Sequence, residues 1–226
     1  MDATREPVRA ATGGEPVPRA VRAGAYAGLI GPVLYLAAWL VQAAVRRDEF
    51  DLIAEPGSGL ATGSAGWIQT ANFVVFGVLT LVFAVGLHRA IAPARAGWLG
   101  PALIGVSAIG LLWAAAFPLE REATGALVDP GVHGIGGTLY FLVGSLGIIA
   151  LVPRLRKDAR WRRLVPVTVV VGALTLLINV LVIACYLPED GPLRPVGGLI
   201  QLVVMIGLRF PWQLAVSTRM LRLAHA

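Results

Sequence analysis

The sequence has a single cysteine, Cys185. One thiol excludes a disulfide framework and a thiolate metal site. Cys185 reads instead as a small apolar residue within a helix. Histidine is nearly as scarce, with only His88, His133 and His225. No two of them fall at the same depth of the apolar blocks described below, which argues against a haem held between paired histidines. There is no HxxxH, and a metal site usually needs three or four ligands at suitable spacing. Charged residues make up 14% of the chain, against roughly 25% in an ordinary soluble domain. Aspartate and glutamate are absent from all the long apolar runs. That argues against cation-coupled or proton-coupled transport, because such pathways are lined by ionisable groups.

What is present is hydrophobic residue, 57% of 226. It comes in uninterrupted blocks of about 20, the length that crosses roughly 30 Å of hydrocarbon at 1.5 Å per residue. Six blocks lie at about 24–44, 67–90, 99–117, 133–152, 164–186 and 196–216. The expected fold is all-α: a polytopic transmembrane helical bundle of six spans. Residues 1–22 are polar, carry no repeating apolar face and are expected to be a disordered cytoplasmic tail. The apolar block that follows is too long for a cleaved signal peptide, so the first span should be an uncleaved anchor. Residues 23–226 are expected to form one six-helix domain.

The net charge of +6 does not point to nucleic acid, because the basic residues sit in short loops between the blocks and act there as topology signals. With the N-terminus placed inside, fourteen lysines and arginines flank the cytoplasmic ends. Only Arg46, Arg47, Arg121 and Arg194 lie outside. Both termini are therefore expected in the cytoplasm, in a multi-pass protein of the inner (plasma) membrane. The cluster Arg154, Arg156, Lys157, Arg160, Arg162 and Arg163 would then face the inner leaflet and grip anionic lipid headgroups, at roughly 1 kcal/mol per basic residue.

Small and polar residues recur at steps of three and four within the blocks. The first carries Gly24, Gly28, Gly31, Tyr35, Ala38 and Gln42; the fourth carries His133, Gly137, Tyr140, Gly144 and Gly147; the fifth carries Thr168, Gly172, Thr175, Asn179 and Tyr186. Such spacing holds residues on one helix face, and helices in lipid pack where side chains are small. These stripes should face the bundle interior. Pro32, Pro166 and Pro211 should kink their helices or mark their ends.

The polar residues of the blocks gather toward the outer ends: Gln42, Gln69, Asn72, His133, Thr138, Asn179 and Gln201. An amide in hydrocarbon without a partner costs several kcal/mol, so these groups should meet one another, water or a ligand. One reading is an outward-facing polar pocket roofed by residues 55–65; the other is hydrogen bonding between helices. His133 is the residue suited to act as a base, with Ser58 or a water as nucleophile, or to cap the fourth span. Arg209 is the one charge inside a span, and its stem is expected to snorkel toward the cytoplasmic face.

The run Pro56-x-Ser58-x-Leu60, Gly66-Trp67-x-Gln69, Asn72-Phe73 and Gly86-Leu87 resembles a family of prokaryotic six-span membrane proteins known as domain of unknown function 998. Phe117-Pro118, His133-Gly134 and Gly198-x-x-Gln201 also fit it. The resemblance covers residues 24–221. It implies a bacterial or archaeal membrane protein with a site region at the outer face, and brings no established activity. Two positions depart from the pattern: Gly137 stands where a second histidine is expected, and Leu202 where a basic residue is expected. Both departures weaken a metal or anion site.

The expected ligand-binding set is Ser58, Trp67, Gln69, Asn72, His133 and Gln201, with no metal and no cofactor. The expected role is to hold a lipid headgroup, a small amphiphile or a partner span. The alternative is a membrane-embedded hydrolase or transferase of lipid-linked substrates using His133 and Ser58.

Overall fold

The computed structural model describes residues 19–91, 97–185 and 191–224. Six long apolar helices account for most of it: α1 Arg19–Val45, α2 Gly66–Ala90, α3 Leu99–Ala116, α4 His133–Lys157, α5 Arg162–Cys185 and α6 Arg194–Ala224. Each is long and apolar enough to cross a bilayer. The chain is an all-α, multi-span membrane protein. The only extended pairing among the described residues is a two-residue hairpin between α3 and α4, β1 Glu120–Arg121 against β2 Leu127–Val128. Residues 1–18, for which a disordered tail is expected, and Tyr186 of the fifth-span stripe lie outside the described residues. The first helix begins at Arg19, inside the stretch assigned to that tail.

Helices adjacent in sequence are adjacent in space, and α6 returns to pack against α1. The glycine stripes set these approaches. Gly24 of α1 and Gly86 of α2 face each other so closely that a Cβ on either would come within 2.6 Å of the other's Cα. Gly110 of α3 and Gly136 of α4 cross in the same way, each within 2.7 Å of the other's carbonyl oxygen by that measure. No side chain intervenes, so backbone dispersion contacts hold these pairs together.

Two apolar clusters fill the bundle. Near the ends rich in arginine, Phe83, Leu87, Leu151, Leu155, Trp161, Trp212 and Met220 form one cluster. Near the opposite ends, Tyr35, Trp39, Phe73, Phe76, Tyr140, Met205 and Phe210 form the second. Phe50 and Leu60 belong to the second cluster although both lie in the α1–α2 connection. That connection is therefore part of the core.

Two helices widen into π-helical turns, at Leu139–Val143 of α4 and Val203–Arg209 of α6. The second widening lies just before Pro211, whose ring offers no N–H and crowds the carbonyl four residues back. Wider turns leave carbonyls free for other donors.

These carbonyls decide the place of Arg209. Its guanidinium does not snorkel to a membrane face as expected. The residue is buried and donates to the carbonyls of Tyr140 at 3.0 Å and Phe141 at 3.3 Å. It also stacks on the Tyr140 ring, with Cζ 4.3 Å from the ring centre. Gly144 makes the room, because a Cβ there would meet Arg209 Nη2 at 2.5 Å. Cation–π contact and carbonyl acceptors take the place of a carboxylate.

The Gly24–Gly86 contact yields a prediction. Gly86→Ala forces α1 and α2 apart and should destabilise the bundle by about 1–3 kcal/mol, read as earlier thermal unfolding in detergent. Unfolding at the wild-type temperature would show that the two helices do not meet there.

Candidate functional site

The α1–α2 connection is held from three sides. At its start, Asp51 Oδ1 accepts the backbone N–H of Ile53 at 2.8 Å and of Ala54 at 3.1 Å. Arg46, at the end of α1, donates to the carbonyls of Leu60 at 2.6 Å and Thr62 at 2.8 Å. Arg121 of the hairpin grips Glu55 through two nitrogens, at 2.6 and 3.2 Å. Such bidentate pairs fix orientation as well as distance.

The third side is α6. The N–H groups of Gly198 and Leu199 donate to the carbonyls of Ala54 at 3.3 Å and Ile53 at 2.9 Å. One turn on, Gln201 Oε1 accepts the N–H of Gly57 at 2.6 Å. A Cβ at Gly198 would collide with the Glu55 and Leu52 carbonyls. The pattern Gly198-x-x-Gln201 therefore has a mechanical meaning: glycine admits the loop backbone and glutamine catches it.

The fixed loop places Ser58, buried in a short 3-10 turn, beside a cavity of about 660 Å³. The cavity lies between the first turns of α4, the last turns of α5 and the first turns of α6. Ser58, Asp129, His133, Thr138, Asn179 and Gln201 supply its polar groups. Phe141, Leu142, Ile178, Val182 and Val204 are among its apolar walls. Gly137 also lines it, and a Cβ there meets nothing within 4 Å. The missing second histidine is thus an open space.

His133 is 8% exposed, and its Nδ1 lies 2.7 Å from the carbonyl oxygen of Phe117. A carbonyl only accepts, so Nδ1 carries the proton, and in the neutral ring Nε2 keeps the lone pair. The helix α3 ends just before Pro118, which leaves the Phe117 carbonyl available. Asp129 caps α4, accepting N–H groups of Gly131 and His133 at 2.9 Å and of Gly134 at 2.7 Å. Burial raises the Asp129 carboxyl, but those three donors outweigh it and hold its pKa below the ordinary value.

The expected site residues divide into three groups. Ser58, His133 and Gln201 share the cavity. Gln69 and Asn72 do not line it. They face α1, where Gln69 Oε1 accepts from Gln42 Nε2 at 2.9 Å and Asn72 Nδ2 at 3.2 Å, and Asn72 also donates to the Tyr35 carbonyl at 3.1 Å. Trp67 stands apart, 70% exposed at the start of α2. Thr138 and Asn179, counted among the outer-end polar residues but not in the expected ligand-binding set, also line the cavity. Asn179 Nδ2 donates to Phe141 O at 2.9 Å and Ser145 Oγ at 3.0 Å. Among the described residues no group of three or more His, Cys, Asp or Glu is arranged to hold a metal ion.

The model of a family described as protein of unknown function (DUF998) matches residues 29–217. No curated protein and no solved structure matches the chain. The chain belongs to the DUF998 family.

Two predictions separate these groups. Gln69→Ala takes the acceptor from one amide N–H each of Gln42 and Asn72, whose other N–H stays on the Ala38 and Tyr35 carbonyls, and should cost about 1–3 kcal/mol in detergent unfolding. Unfolding at the wild-type temperature would contradict that structural role. The second concerns pH. A carboxylate whose folded pKa is lowered stabilises above its unfolded pKa, and that contribution disappears as pH falls through the folded value. Asp129→Ala should therefore cost about 0.5–2 kcal/mol at neutral pH and nothing well below the carboxylate range. An equal cost at both pH values would contradict the capping role.

Proposed function

We propose that this member of the DUF998 family holds an amphiphile, with its polar head under the α1–α2 loop and its apolar part along α4, α5 and α6. The observation that carries the reading is the cavity itself: about 660 Å³, within the size range of small-molecule sites, with Ser58, His133 and Gln201 beside apolar walls. Ile135 and Ile183 line it and are nearly half exposed, 47% and 45%. That favours entry from the side, from within a bilayer leaflet.

The arginine and lysine bias supports an orientation with both termini in the cytoplasm and the cavity at the outer face of the plasma membrane. At the other face, Arg156, Lys157, Arg162 and Arg163 are exposed and suited to anionic headgroups. Arg154 is not: it is buried and donates to the carbonyls of His88, Ile91 and Gly97, tying α4 to the end of α2 and the connection that follows.

A second reading is favoured by one detail. His133 Nδ1 is bound to a carbonyl, which leaves Nε2 as a base in the cavity that Ser58 also lines. A hydrolase or transferase of lipid-linked substrates would use that nitrogen to take a proton from Ser58 or from water.

Native mass spectrometry of the purified protein tests both readings. Wild type should carry a bound amphiphile. Gly137→Leu, whose Cβ meets nothing within 4 Å, should lose it without a fall in unfolding temperature. An empty wild type, or equal retention by the variant, contradicts the binding reading. The catalytic reading predicts that the retained amphiphile changes mass on incubation in wild type and not in His133→Gln. An unchanged mass in both contradicts it.

A further inference from the structure

A second cavity, of about 360 Å³, lies at the opposite end of the bundle between the start of α5 and the end of α6. Four arginines line it: Arg160 and Arg163 from one side, Arg219 and Arg222 from the other. They are far apart in sequence, and only the packing of α5 beside α6 joins them.

Among the described residues, one carboxylate is paired with any of these four guanidiniums. Asp158 binds Arg160 through both oxygens, at 2.7 and 3.0 Å, and that pairing raises the Arg160 pKa above its ordinary value. Arg219 is steered into place by its Nε, which donates to the Arg160 carbonyl at 2.9 Å. Its two terminal nitrogens remain for another acceptor. Arg163 and Arg222 are exposed and donate no hydrogen bond to protein among the described residues. Like charges held together repel, and an anion among them removes the cost. Thr218 lines the same wall.

We infer that this cavity binds a phosphate group, for which planar guanidiniums offer paired donors. The remaining walls indicate what the phosphate is attached to. Leu164 and Ala215 line the cavity. Val167, one turn from Leu164 on the same helix face, is exposed. An acyl chain leaving the site would lie along that face, so the ligand is the phosphodiester headgroup of an anionic lipid. The inference rests on the reading that the basic end meets anionic headgroups. It narrows that reading from diffuse attraction to one stoichiometric site.

The test is native mass spectrometry of the full chain released from two kinds of nanodisc. One holds phosphatidylcholine alone; the other holds phosphatidylcholine and phosphatidylglycerol in equal amounts. Wild type should retain one phosphatidylglycerol. Arg163→Gln and Arg222→Gln should each weaken retention about fivefold, as expected for one basic residue at an anionic surface. Arg89→Gln, exposed at the same end of the bundle but outside the cavity, should leave retention unchanged. Neither Arg163 nor Arg222 anchors the fold, so both variants should unfold at the wild-type temperature.

Equal losses in all three variants would leave diffuse attraction standing and overturn the site. Absence of phosphatidylglycerol from wild type would overturn both. Inorganic phosphate is added in a separate arm. If it binds in phosphatidylcholine alone and is lost in Arg222→Gln, the phosphate site stands and the lipid assignment falls.

Discussion

A helix that starts within a membrane protein presents backbone N–H groups with no partner of their own, and hydrocarbon supplies none. In α6 two of these groups, on Gly198 and Leu199, are taken by the carbonyls of Ala54 and Ile53. The rest of the α1–α2 loop follows from that docking. It carries Gly57 to Gln201, Leu60 into the aromatic core and Ser58 to the edge of the larger cavity. The loop satisfies the helix end, and the helix end gives the loop a fixed shape. Arg46 and Arg121 hold the same loop from α1 and from the hairpin, so no single contact carries it alone.

The same obligation explains the middle of the bundle. The π-helical turn in α4 frees the Tyr140 and Phe141 carbonyls, and Arg209, Ser145 and Asn179 use them. Phe141 O alone receives Arg209, Ser145 and Asn179. A buried arginine without a carboxylate is costly in lipid, and here carbonyls and an aromatic face supply its surroundings. Polar side chains in this protein thus answer backbone groups more often than one another. The larger cavity, of about 660 Å³, is bordered by side chains that are themselves held this way: Gln201 by Gly57, His133 by Phe117 and Asn179 by Phe141.

Much of the architecture was legible in the sequence because it depends on period and length. Six spans, their order and their small-residue stripes follow from apolar runs and from spacings of three and four. Gly24, Gly28, Gly31, Tyr35 and Gln42 are all buried, as one face requires. The candidate site was only partly legible. Depth along a helix can be read from a sequence, but the neighbour a face meets cannot. Gln69, Asn72 and His133 lie at similar depth, yet the amides turn to α1 and the imidazole turns to the end of α3. Arg209 was misread because nothing in a hydropathy pattern announces a widened turn with free carbonyls. The pairing of Arg160 and Arg163 with Arg219 and Arg222 was hidden for another reason: it depends on which faces α5 and α6 turn to each other.

The α1–α2 connection is fixed rather than loose. Hydrogen–deuterium exchange of the protein in nanodiscs reads this directly. Ala54, Glu55, Gly57, Gly59 and Thr62 all donate their N–H groups within the fold, and Gly198 and Leu199 donate theirs to the loop. Peptides spanning residues 53–62 and 197–200 should exchange slowly and together, at rates like those of the helix ends they join. Exchange of residues 53–62 at the rate of a solvated loop would contradict the account, and with it the roof over the cavity.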